Sequence, residues 1–248
     1  MQPSAHEAGL LMGCKIFVRG VFTVVRVKVC GLMTERDIKV CVDAGVHTLG
    51  FVADYPEPVP WNISRSEAAR LVSMVPPYVC TCVVTGGTPD DVIGTALGIR
   101  PDMLQLHHRE SLGDISRVVK RLRTEGIRVI KALRVRAGGM CDFEIENSAE
   151  AARALSEAGV SGILVDSFTE TMPGGTGISV DLSTFLSVKE NSLVPVILAG
   201  GLNPGNIGGI IHAARPFAVD VLTGVEVRPG LKDEHKIRKF MDEVIRHS

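Results

Sequence analysis

Apolar runs of strand length recur along the chain, separated by segments whose apolar positions fall at helical spacing. The runs are VVRVKVC (24–30), TLGFVA (48–53), YVCTCVV (78–84), DMLQLH (102–107), IRVIKAL (127–133), SGILVD (161–166), VPVILAG (194–200) and FAVDVLT (217–223). The segments between and after them predict helices over 35–44, 65–74, 89–97, 115–124, 149–158, 182–189, 204–213 and 233–244. Short runs that are apolar at nearly every position suit parallel strands covered on both faces.

Local signals mark the helix ends. Thr34 precedes Asp37, and Ser64 precedes Glu67, at the spacing of a capping box. Thr88 stands before Pro89 and Asn203 before Pro204, which predicts proline at the first helical position in both places. DAGV (43–46), TEGI (124–127) and EAGV (157–160) each offer a glycine for the left-handed residue that ends a helix. Eight strand–helix beats with no linker-like tract predict a single α/β domain, a (β/α)8 TIM barrel over 24–248, with an open doubly wound sheet as the alternative. Residues 1–23 read as an N-terminal extension, although the alternating tract KIFVRGVFTVVRVKV leaves open an added strand before the first core strand.

Composition narrows the class. The chain has 248 residues, 45% of them hydrophobic, enough for a large core. Its 27 basic and 28 acidic side chains give a formal net charge of -1, so nothing points to a nucleic-acid partner, while a small anionic substrate needs only local donors. No stretch reaches the roughly 20 apolar residues of a membrane span. The six cysteines, at 14, 30, 41, 80, 82 and 141, fit no zinc spacing and read as reduced thiols of a cytoplasmic protein.

In a barrel, catalytic groups stand at the carboxyl ends of the strands. Cys30 ends the first run and Asp166 the sixth. A thiolate can take a proton from carbon and a desolvated carboxyl can give one, a pairing suited to isomerisation of a carbonyl or imine. The other reading of Cys30 is a small buried hydrophobe, and of Asp166 a helix cap. Serine-hydrolase and zinc-protease motifs do not occur. Glycine-rich loops PGGTG (173–177), AGGLNPGN (199–206) and LTGVEVRPG (222–230) follow the sixth, seventh and eighth runs. The last two occupy the usual phosphate position of a barrel, where backbone N–H groups meet the anion. His107 and His108 are adjacent but point apart along an extended chain and lack a third ligand, so no metal is expected. Gln105 either fills the barrel or faces a ligand.

These parts, in this order, resemble the phosphoribosylanthranilate isomerase family. The resemblance covers nearly all of 25–245 and rests on VKVCGL (27–32), GFV (50–52), LQLH (104–107), ILVDS (163–167), GGTG (174–177), LAGGLNPGN (198–206), DVLTGVE (220–226) and PGLKD (229–233). It implies an Amadori rearrangement of N-(5-phosphoribosyl)anthranilate in tryptophan biosynthesis. Cys30 would be the general base and Asp166 the general acid. The phosphate would sit on backbone at Gly200, Gly201, Thr223 and Gly224, with Gly175 and Gly177 adding donors. Gln105 and His107 would face substrate, and Arg134 or Arg136 would meet a carboxylate or phosphate. No metal or organic cofactor is implied. The partner would be a small phosphorylated substrate, and the chain a monomer or homodimer.

Departures cluster on the anthranilate side. Trp61 stands near the position of the family's arginine, and the next arginine is Arg65. His108 replaces a glycine, and LTG (222–224) replaces a serine-rich stretch. Two further readings therefore stand beside the first: an isomerase of another phosphorylated aminosugar, and a non-catalytic phosphometabolite-binding barrel whose mouth Trp61 and His108 plug.

Overall fold

A computed structural model describes residues 24–136, 138–167 and 181–248. The expected extension 1–23 and the loop bearing Gly175 and Gly177 lie outside the described residues. Eight parallel strands close a barrel: β1 (Arg26–Val29), β2 (Thr48–Ala53), β4 (Cys80–Thr85), β5 (Met103–Leu106), β6 (Arg128–Val135), β7 (Gly162–Ser167), β8 (Val196–Leu198) and β9 (Ala218–Val221). The β1–β2 pairing, Lys28 opposite Thr48, shuts the ring and excludes the open sheet. A two-residue strand β3 (Asn62–Ile63) lies parallel to the end of β2. A small antiparallel pair, β10 (Glu226–Arg228) and β11 (Leu231–Lys232), follows β9.

The helices are α1 (Glu35–Asp43), α2 (Arg65–Ser73), α3 (Pro89–Ile99), α4 (Leu112–Arg123), α5 (Ser148–Glu157), α6 (Leu182–Asn191), α7 (Ile207–Ala214) and α8 (Glu234–His247). Their apolar faces cover the barrel. On α4, Ile115, Val118, Val119 and Leu122 recur at helical spacing, and all are buried. Thr34 and Asp37 make the full capping box. Ser64 and Thr88 accept from the third helical N–H, and Pro89 opens α3. Gly45, Gly126 and Gly159 all take positive φ where α1, α4 and α5 end.

Pro204 does not start a helix: α7 begins at Ile207, with Asn206 as its cap residue. The Asn203 side chain accepts from the N–H of Gly205, and the Asn206 side chain accepts from the N–H of Asn203. These bonds fold 203–206 into a turn that satisfies polar groups otherwise left for the first helical turn.

Strand alternation puts one layer of small and branched side chains inside the ring, among them Ile130, Ala132, Leu164, Ile197 and Ala218. Above this layer the interior becomes polar, with Lys28, Gln105, Arg134, Asp166 and Asp220 all buried.

Burial pushes the Cys41 and Cys82 thiols up to about 12 and Cys141 up to about 11. Unfolded thiols titrate near about 8.5, so above that pH the folded chain binds more protons than the unfolded one. The stabilisation is complete below the unfolded value and is lost as pH rises toward about 12. The thermal-unfolding midpoint is therefore expected to fall between about pH 7 and about pH 10. A midpoint unchanged over that interval would show that these thiols ionise as freely folded as unfolded.

Candidate active site

At the carboxyl ends of the strands lies a cavity of about 230 Å³. Its walls include Cys30, Gln105, His107 and Asp166, with Gly200, Gly201 and Thr223 along one side. The ends of three strands and two loops thus bring the residues singled out by sequence into one hollow.

Cys30 is fixed by backbone on both sides. Its N–H donates to the Val221 carbonyl, and the N–H of Leu32 donates to the Gly50 carbonyl. Gly31 between them has φ of 74°, and a Cβ there would stand 2.8 Å from the Trp61 ring. Glycine is required at this position both by conformation and by the close indole. The sulfur is buried, and burial raises the thiol pKa, while Lys28 pulls it back down.

Asp166 is the last residue but one of β7 and is also buried. His107 Nε2 lies 3.7 Å from Asp166 Oδ2. His107 Nδ1 lies 3.0 Å from Gln105 Nε2. With the Gln105 amide donating, His107 carries its proton on Nε2, toward Asp166. Gln105 therefore both lines the cavity and orients a neighbour.

The loop 54–61 builds the apolar side of the mouth. Tyr55 N–H donates to Asn62 Oδ1, and Asn62 Nδ2 donates back to the Tyr55 carbonyl, closing the loop on itself. The Tyr55 hydroxyl donates to the His107 carbonyl at 2.8 Å. Trp61 Nε1 donates to Glu226 Oε1 at 2.9 Å, and Lys232 Nζ lies 2.8 Å from that same oxygen. Trp61 is buried against Cys30, Val52 and Val84. It lines the cavity without filling it. His108 lies outside the cavity lining, with Nε2 3.2 Å from Glu57 Oε1. The plugged mouth considered from sequence is not what the structure shows.

The phosphate-type loops meet each other. Gly200 and Gly201 take φ of 88° and 63°. Asn206 Nδ2 donates to the Gly201 carbonyl at 2.9 Å, which fixes the loop's orientation. Thr223 opens a short 3-10 turn, Thr223–Val225, and faces the cavity. Gly224 is not in the lining: a Cβ there would stand 1.8 Å from the Leu202 carbonyl oxygen, so its bare backbone lets the two loops touch. Among the described residues that line the cavity there is no lysine or arginine. An anion on this side must be met chiefly by backbone N–H groups.

Arg134 is buried at the end of β6 and pairs with Asp142, outside the lining. Arg65 turns outward, with Nε 2.8 Å from Asp54 Oδ2 and Nη2 3.0 Å from Thr95 Oγ1. It does not replace the family's arginine in the cavity.

Three site residues escaped the sequence reading. Lys28 and Asp220 meet inside the barrel at 2.6 Å. Their signal is strand period: Lys28 shares a face with Cys30, and a charge within an apolar run needs a partner. Glu226, which holds Trp61, had no comparable signal because nothing in a sequence pairs positions 61 and 226.

The profile of the N-(5'phosphoribosyl)anthranilate (PRA) isomerase family matches residues 27–243. The N-(5'-phosphoribosyl)anthranilate isomerase of Chromohalobacter salexigens is 40% identical over 225 residues, 88% of this chain and 93% of that protein. The crystal structure of phosphoribosyl anthranilate isomerase from Thermotoga maritima superposes with a TM-score of 0.74 at 32% identity, covering 89% of this chain and 98% of that one. A crystal structure of such an isomerase in complex with reduced 1-(o-carboxyphenylamino)-1-deoxyribulose 5-phosphate gives 0.71 at 32% identity, with the same coverage.

Proposed function

The chain belongs to the N-(5'-phosphoribosyl)anthranilate isomerase family, and from that premise we propose which of its groups carry the reaction. The chain is an isomerase. It converts N-(5-phosphoribosyl)anthranilate to the 1-deoxyribulose 5-phosphate aminoketone in tryptophan biosynthesis. Asp166 gives its proton to the furanose ring oxygen. The bond from that oxygen to C1 breaks, and the nitrogen lone pair forms the imine. The Cys30 thiolate takes the proton from C2, and the C2–H electron pair makes the enolamine. A proton returns to C1 as the enolamine relaxes to the aminoketone.

The observation that carries this reading is the convergence of Cys30 and Asp166, from strands three places apart in the ring, on one cavity beside Gly200, Gly201 and Thr223. These backbone groups, with the loop at Gly175 and Gly177, hold the phosphate. Gly224 supports them by its contact with Leu202. Gln105 and His107 face the sugar. The enzyme works as a monomer or a homodimer. The same reading places the work in the cytoplasm, and no described helix is long and apolar enough to cross a membrane.

Purified protein is expected to turn over phosphoribosylanthranilate with loss of its anthranilate-type fluorescence, and to restore growth of a tryptophan auxotroph lacking the isomerase. Binding of sugar phosphates without turnover would favour the non-catalytic barrel instead.

Trp61 supplies apolar contact for the aryl ring. Trp61→Ala is expected to raise KM by about 3- to 10-fold with a smaller change in kcat, because a ring contact of ~1 kcal/mol serves ground and transition states alike. An unchanged KM in steady-state assays would remove Trp61 from the aryl side.

A further inference from the structure

The mechanism needs Cys30 as a thiolate, and the surroundings of its sulfur oppose that charge. Burial raises the thiol. Lys28 is two residues back on the same face of β1, and Asp220 is its register partner on β9. The two are joined at 2.6 Å inside the barrel, each side chain 8% exposed. A Cβ on Gly50 would stand 2.9 Å from both Cys30 Sγ and Lys28 Cε, so thiol and lysine converge on the space that this glycine leaves open. Asp220 lines the cavity, yet its Oδ1 is buried and receives no hydrogen bond from the described residues. An acceptor buried without a donor is costly unless something supplies a proton.

We propose that Lys28 and Asp220 are positioning residues that switch Cys30 into its reactive form, Asp220 taking up the thiol proton while Lys28 remains as the cation beside the sulfur. This deepens the assignment of Cys30 as base and rests on it. The S–H bond breaks with its electron pair left on sulfur, and the proton ends on the Asp220 carboxylate. Thiol, ammonium and carboxylate become thiolate, ammonium and carboxylic acid. The net charge of the trio is unchanged, so the dry interior does not oppose the step as it opposes ionisation of a lone thiol.

The other titratable groups facing the trio fit this division. Cys82 of β4 also lies near Lys28, but burial holds it up to about 12. Lys232 of β11 acts on Cys30 and Asp220 from a distance, being engaged with Glu226 at 2.8 Å. Asp166 and His107 stand elsewhere on the cavity wall, 3.7 Å from each other. Among the described residues, Lys28 is the near cation. Burial opposes its charge, but Asp220 and the thiols outweigh that and keep it protonated.

The test is the rate of iodoacetamide alkylation of Cys30 against pH in the full-length protein, with Cys30→Ser subtracted for the other thiols. Asp220→Asn leaves Lys28 unpaired beside the sulfur and is expected to lower the alkylation midpoint by about 1–3 pH units. Lys28→Met combined with Asp220→Asn removes both charges without stranding either, and is expected to raise the midpoint by about a unit or more. Lys28→Arg keeps the cation and should stay near wild type. The alkaline-rising limb of kcat should move with the midpoint in each variant. Midpoints that stay together, or an upward shift in Asp220→Asn, overturn the proposal. Should the double variant not fold, the direction of the Asp220→Asn shift decides alone. Loss of turnover in Cys30→Ala with unmoved midpoints sinks only this inference, whereas full turnover in Cys30→Ala sinks the base assignment itself.

Discussion

Replacing Cys30 with alanine is expected to lower kcat by about 10²- to 10⁴-fold, and Asp166→Asn to do the same through the other half of the proposed reaction, since a positioned base or acid contributes on that order. The two losses have different origins. Without the thiol, the ring still opens, but the base assigned to the C2 proton is gone. Asparagine at 166 nearly preserves shape and removes the donated proton, so the ring oxygen leaves as a poor leaving group. Neither change should alter the fold greatly. Cys30→Ala deletes one sulfur beside an existing cavity, and Asp166→Asn is nearly isosteric. Steady-state fluorescence assays with circular dichroism as the fold control check both. Wild-type kcat in either variant would remove that residue from the mechanism.

Gly224→Ala has the second largest effect, by another route. The added methyl carbon would stand 1.8 Å from the Leu202 carbonyl oxygen and 2.9 Å from its carbon. Both atoms are backbone, so no side-chain rotation relieves the overlap, and one of the two phosphate-side loops must move. Overpacking of this kind costs about 1–3 kcal/mol. For a chain of this size ~3 kcal/mol corresponds to roughly 6–12 °C in Tm. The displaced loop carries Gly200 and Gly201, so KM should rise by about 10-fold or more, as expected when ~1.4 kcal/mol of binding is lost. Gly209→Ala is the matched control. Its Cβ would meet nothing within 4 Å on α7, and alanine is the better helix former. Differential scanning calorimetry and KM measured on the pair should separate them. Equal behaviour would mean that the contact between the loops does not position the phosphate.

The barrel was legible because each strand–helix unit writes its own signals. Thr34, Ser64 and Thr88 cap helices within three residues of themselves, and the glycines after α1, α4 and α5 act at single positions. The turn at 203–206 was misread because the asparagines bond within the turn, in competition with a proline helix start. The places of Cys30 and Asp166 at strand ends were legible, and both line the cavity. The rest depends on contacts across the ring. Lys28 meets Asp220 across 192 positions of chain, and Trp61 meets Glu226 across 165. No local pattern encodes such pairs. Arg65 shows the same limit: its distance from the expected position was readable, but its outward pairing with Asp54 was not.

The division of labour between Cys30 and Asp166 is tested most directly by single-turnover kinetics with substrate carrying deuterium at C2. In Cys30→Ser a weaker base makes removal of the C2 proton limiting, so the primary isotope effect should exceed that of wild type. In Asp166→Asn ring opening becomes limiting, and the effect should fall toward unity. An isotope effect that is the same in wild type and both variants would contradict the assignment of base and acid made here.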